Sequence, residues 1–190
     1  MWGMAVRHRR TVTALVAILG FGIAGCSDMD KSGRDDGVPQ VREVASVRAE
    51  AKELSSQILD AIGLKGRVSE PGPGVSRVDD DPEHLYKIRH PWSVWGVPEQ
   101  DMERSMDRLK DELPKRGWKI VSYGRDKSLA ENLELVADSV NSKFSVDITF
   151  MDKRRSSKYD APNASKESGI MVNLESACFR VPEGKSVEGY

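Results

Sequence analysis

Apolar positions recur along this chain with two periods, and the change from one to the other marks out its elements. Val44, Val47, Ala51, Leu54, Ile58 and Ile62 are spaced three and four apart, the period of a helix with one buried face. Arg42, Arg48, Glu50, Lys52 and Glu53 fall on the other face, so residues 41–62 read as an amphipathic helix. Gly63 stands where a left-handed C-terminal cap is wanted. A second helix is predicted from Pro98, which suits a first turn, with Glu99 and Asp101 at its positive end. Its inward stripe is Met102, Met106, Leu109 and Leu113, and Lys115 and Arg116 lie at its negative end. Pro114 frays or kinks the last turn, and Gly117 is placed to cap it.

Period two governs the rest. Tyr86, Ile88, His90, Trp92 and Val94 share one side of a strand over Leu85 to Val94. Pro91 has no amide donor, which predicts an edge strand or a bulge there. Trp118 to Tyr123 reads as a strand, followed by Leu133 to Asp138. Phe144, Val146, Ile148 and Phe150 alternate with Ser145, Asp147 and Thr149, the clearest half-buried strand of the chain. Asp138 to Ser142 suits a hairpin turn. Residues 65–83, with Pro71, Gly72, Pro73 and Gly74, read as loop, as do 152–168. Ile170 to Val181 returns as the last strand, with Ile170, Val172, Leu174 and Cys178 in phase. Short links between late strands predict antiparallel pairing. The fold expected is α+β: a two-layer sandwich, with an antiparallel sheet of four to five strands and two helices on one face. The polar positions 145, 147 and 149 predict a wet opposite face.

The first residues follow neither pattern. Arg7, Arg9 and Arg10 precede a nearly uncharged run from Thr11 to Ala24, the layout of a secretory signal peptide. The run is about 15 residues, short of the roughly 20 that cross a bilayer core, which makes a permanent transmembrane helix the weaker reading. Its end, Ile23-Ala24-Gly25-Cys26, resembles the lipobox of bacterial membrane lipoproteins: an aliphatic residue, two small residues, then cysteine. The resemblance implies a diacylglycerol on the Cys26 thiol, cleavage before Cys26, and often acylation of the new amino group. Stable anchoring takes two such chains, and the basic start orients the remainder outward. The organisation expected is a signal peptide over 1–25, a flexible tether over 26–39 and a single domain over 40–190, held on the extracytoplasmic face of the cell membrane through Cys26. Arg89-His90-Pro91-Trp92-Ser93 and Leu113-Pro114-Lys115-Arg116-Gly117-Trp118 are similar to stretches of small, uncharacterised actinobacterial lipoproteins; this implies a habitat and no mechanism.

Charge narrows the partners. Of 29 basic and 30 acidic residues the leader removes three arginines, which leaves a formal net charge of −4. That gives no footprint for nucleic acid. With Cys26 committed to lipid, Cys178 is the one remaining cysteine. Its strand phase favours an inert core thiol over a reactive or bridging one.

Little in the chain spells out chemistry. Asp79, Asp80, Asp81, Glu83 and His84 form an oxygen-rich loop, but without the glycine and distal glutamate of an EF-hand, so a solvated loop is expected and no metal site. Nucleophilic catalysis needs a base beside a nucleophile. His84 and His90 are the only histidines of the domain, and no GxSxG, HExxH, CxxC or phosphate-cradling loop occurs, so no catalytic residues, cofactor or enzyme activity are expected. Tyr86, His90, Trp92 and Trp95 gather rings around one strand. Trp92 shares the core phase, and Tyr86 and Trp95 are the candidates for a ligand or partner contact. The function expected is a lipid-anchored binding or interaction module of the cell envelope, with a possible envelope protein as partner. The alternative is a small-molecule or metal-binding lipoprotein, and an enzyme acting on envelope material is the third reading.

Overall fold

The structure, a computed structural model, describes residues 38–69, 71–156 and 165–190. The lipobox, Cys26 and the tether up to residue 37 lie outside the described residues. Among those described, no helix is long and apolar enough to cross a membrane.

The domain is mixed α and β. Helix α1 spans Val44–Ile62. Its predicted stripe faces inward, with Val44, Val47, Ala51, Ile58 and Ile62 buried. Gly63 ends it in the left-handed region (φ 63°) and donates its N–H to the Leu59 carbonyl, a conformation that only glycine adopts without strain. Helix α2 runs Glu99–Lys115 and buries Met102, Met106, Leu109 and Leu113. It stops one residue after Pro114, whose missing N–H cannot extend the ladder. Ser105 of α2 donates to the Ile62 carbonyl at 2.7 Å, satisfying an orphan group at the end of α1. A short helix α3, Lys153–Ser156, lies between the seventh and eighth strands of the sheet.

The sheet is larger than the four to five strands expected. It has nine: β1 (Gln40–Val41), β2 (Arg67–Val68), β3 (Gly74–Arg77), β4 (Leu85–Trp95), β5 (Trp118–Arg125), β6 (Leu133–Ser139), β7 (Phe144–Met151), β8 (Gly169–Ser176) and β9 (Phe179–Arg180). Its centre is antiparallel in the order β4-β8-β7-β6-β5. Among the described residues only the β1·β9 pair is parallel. The extra strands come from the stretch read as loop, where β2 and β3 pair with β4, and from residues just before α1. They are two to four residues long, too short for a period to show, and exist because a long neighbour offers them a ladder. Even-numbered β4 residues Tyr86, Ile88, Trp92 and Val94 join α1, α2 and the buried sides of β6, β7 and β8 in one apolar cluster. The opposite face is polar, though half-buried rather than fully wet. Ser145 donates to Asp138 at 2.7 Å and Thr149 to Asp147 at 3.0 Å, each across or along the sheet.

The predicted last strand breaks in two. β8 pairs β4 with Arg89 opposite Glu175, whereas β9 places Phe179 opposite Tyr86, so one extra residue has entered between them. That is a β-bulge. Ser176 turns its hydroxyl to the buried Ile88 N–H at 2.8 Å, filling the place the ladder would have supplied. The extra residue reverses the phase. Phe179 and Val181 enter the core, and Cys178, expected on the apolar face, is left half-buried. Enough burial remains to push its thiol pKa up, which keeps it protonated and a poor nucleophile near neutrality.

Candidate functional site

Strand β4 borders a hollow that opens between helix α1 and the short strands beside it. Ser93 directs its C=O and N–H to Ser69, so odd-numbered residues of β4 face β2 and β3. Pro91 has the same phase. It falls between the two short strands, in a stretch where neither pairs with β4. Thus Pro91 lies in a central strand yet at a local gap in the ladder, which reconciles its missing donor with its position. Across the gap the chain detours through Pro71, Gly72 and Pro73. Between that detour, α1 and β4 lies a cavity of about 760 Å³, within the range of small-molecule sites.

Its floor is a buried polar trio. Trp92 donates its indole N–H to Ser55 Oγ at 3.2 Å, and Ser55 Oγ shares a 2.7 Å hydrogen bond with His90 Nδ1. Ser55 is 6% exposed and His90 8%. An indole can only donate, so Ser55 accepts from Trp92 and is left with one lone pair and one hydrogen to offer His90. Burial pushes the His90 imidazole below 6.5, the Ala51 carbonyl opposing this and the Lys52 ammonium adding to it. The ring is therefore neutral at pH 7. Around the floor stand Leu59 and Val68, and at the rim Arg48, Lys52 and Ser56. Arg48 Nε donates to the Pro73 carbonyl at 3.1 Å, which ties helix to detour.

The neutral histidine gives a testable pH dependence. The unfolded chain takes up a proton at His90 near 6.5, and the folded chain only at lower pH. Stability from this group is present above 6.5 and is lost as pH falls through the lowered folded value. Asp81, Asp107 and Asp152, held below 3.8 by hydrogen-bonded partners, act at lower pH. Glu134 and Asp147, pushed up by burial, act in the opposite sense as pH falls, so the readout is the urea midpoint of the wild type compared with that of His90→Asn at several pH values between about 7.5 and 4.5. The wild type should lose more stability with acid than His90→Asn, by up to one proton's worth of slope; equal slopes would mean that His90 takes up its proton equally well in the folded and the unfolded chain.

The residues singled out from the sequence do not meet at one cleft. Tyr86 is fully buried, with its ring 6.1 Å from that of Phe179 and its hydroxyl donating to the Arg42 carbonyl at 2.9 Å. Desolvation pushes its pKa up to about 12. It is a core residue, which corrects its reading as a contact. Trp95 lies on the other face of the sheet, half-buried, with the Arg67 guanidinium 5.4 Å from its ring centroid. Nearby Pro91, Ser93 and Met171 border a second hollow of about 490 Å³. In the acidic loop, Asp81 accepts from Arg180 and pairs with His84 Nδ1, each at 2.8 Å. Among the described residues no group of three histidine, cysteine or carboxylate side chains converges as a metal site. Ser55 escaped the sequence reading. Its signal was a polar residue in phase with the apolar stripe of α1, four after Ala51 and three before Ile58. Comparison with protein-family models, curated proteins and solved structures finds no match for this chain.

Proposed function

We propose that this chain is a lipid-anchored, extracytoplasmic binding module of the cell envelope, that its helix-on-sheet sandwich serves as scaffold, and that a small molecule occupies the cavity between α1 and β4. The anchor rests on Ile23-Ala24-Gly25-Cys26 and the basic, apolar leader before it. The binding role rests on one observation: the Trp92–Ser55–His90 trio at the floor of a cavity of about 760 Å³. Apolar walls with a few convergent polar groups are the usual composition of a ligand site. Binding is favoured over turnover. Among the described residues no carboxylate bonds His90 to orient it as a general base, and Ser55 Oγ is occupied by an indole N–H, whereas an activated serine needs both an oriented base and a free approach. A second reading, an interaction module for another envelope protein, draws on Trp95 and on Met171, which is 38% exposed on the outer sheet face.

Native mass spectrometry of the mature protein, extracted gently from its own membrane, tests both parts. The expected covalent mass includes the acyl groups on residue 26, and the expected complex carries a small organic mass. A bare domain would count against the cavity, and a co-purifying envelope protein would favour the second reading.

A further inference from the structure

Resting on that cavity as the binding site, we propose that its ligand is a small organic anion with an apolar body, free in solution rather than part of a lipid bilayer. The rim supplies the charge. Arg48 and Lys52 lie one turn apart on α1 and so project from the same side of the helix. About half of the described cations are engaged with a carboxylate, as in Arg42–Glu50, Lys87–Glu175, Arg154–Asp152 and Arg180–Asp81. Arg48 and Lys52 have no carboxylate partner among the described residues, and no described aspartate or glutamate lines the cavity. Among the described residues Arg48 makes its hydrogen bond through Nε, to the Pro73 carbonyl. This holds the guanidinium at the rim and leaves its two Nη groups for an anion, the fork that recognises carboxylate or phosphate oxygens.

The interior supplies the rest of the specificity. The ring of Trp92 and the side chains of Leu59 and Val68 give an apolar bed, and the Ser55–His90 pair lies within it as a neutral polar spot. A neutral floor below a cationic rim sorts a ligand by orientation, with its charge outward and its apolar body inward. The volume suits one drug-sized molecule.

Three probes of one shape and different charge test this: 1-naphthylacetate, 1-naphthylacetamide and 2-(1-naphthyl)ethylammonium. Calorimetric titrations use the full chain in phosphatidylcholine nanodiscs, with empty discs as the blank. The anion is expected to bind at least tenfold more tightly than the amide, and the ammonium more weakly still. In a chain carrying both Arg48→Gln and Lys52→Gln, the ratio of anion to amide affinity should fall to about one; because Arg48 also ties α1 to the detour at Pro73, the ratio and not either affinity alone is the readout. Equal binding of anion and amide to the wild type would overturn the anion class and leave the cavity as a ligand site. Tightest binding of the ammonium would overturn the class as well. No binding of any probe to folded protein that is also bare in native mass spectra would overturn both the class and the cavity. Displacement of bound naphthylacetate by vesicles containing phosphatidylglycerol, but not by phosphatidylcholine vesicles, would place the anion in a bilayer headgroup and overturn the free source.

Discussion

Phe150→Ala is expected to lower the unfolding free energy by about 3–5 kcal/mol. Phe150 is 2% exposed and is among the largest fully enclosed side chains of the domain. It sits on the inward side of β7, directly across from Leu133 of β6 and Ile170 of β8. Truncation removes a ring from an interior packed on three sides, and the neighbouring strands are tied by backbone bonds that prevent collapse into the space. The cost therefore includes both lost transfer energy and a persistent cavity. For a domain of this size it corresponds to a fall in Tm of about 6–20 °C. The control lies one residue away in register. Met171 faces Thr149, the neighbour of Phe150, but points to the other side of the sheet and is 38% exposed. Met171→Ala should change stability by no more than about 0.5 kcal/mol. Urea midpoints for the two variants decide which face is buried: similar losses would mean that the outer face is covered as heavily as the inner one.

That contrast was legible in the sequence because β7 alternates without interruption and side chains of a strand must alternate in space. The same holds for α1 and α2, whose stripes are long enough for the helical period to repeat several times. Reading failed where structure depends on partners distant in the chain. β2 and β3 carry no periodic signal of their own; they are strands because Trp95, Val94 and the residues from Tyr86 to Arg89 offer backbone groups to pair with. The bulge between β8 and β9 is equally silent locally. It is visible only in the register against β4, yet it moves Cys178 off the core face and puts Phe179 there. The candidate site divides the same way. His90 and Trp92 share the core phase in sequence and in the fold, whereas Pro91, which predicts an edge strand or a bulge, lies in a central strand at a gap between two short partners. Ser55 comes from 35 residues earlier in the chain, and no local pattern ties a serine on a helix to a histidine on a strand. Grouping Tyr86 with Trp95 failed because closeness in sequence along a strand says nothing about sharing a face. Tyr86 has even phase and is core, whereas Trp95 has odd phase and faces outward.

Cys26→Ala is expected to abolish membrane retention of the mature domain through lipid, the largest functional change any single substitution here should produce. The thiol is the acceptor for the diacylglycerol that the lipobox resemblance implies, and methyl offers no nucleophile for it. Without that group the new N-terminus is not made at residue 26, so acylation and processing should fail together. The unprocessed leader, with an apolar run of about 15 residues, is short for a bilayer-spanning helix, so what membrane association it keeps should be extractable by alkaline carbonate. The wild type, on which the proposal places at least two acyl chains, should resist that treatment. Metabolic labelling with a clickable fatty acid, followed by fractionation, reads both consequences at once. Loss of label with a shift to the larger precursor is the expected pattern. A labelled Cys26→Ala protein, still cut before residue 26, would place the lipid on another residue and remove the ground for the anchor. Residues 26–39 are polar and carry Gly33 and Gly37, a composition in keeping with the proposed tether between anchor and domain.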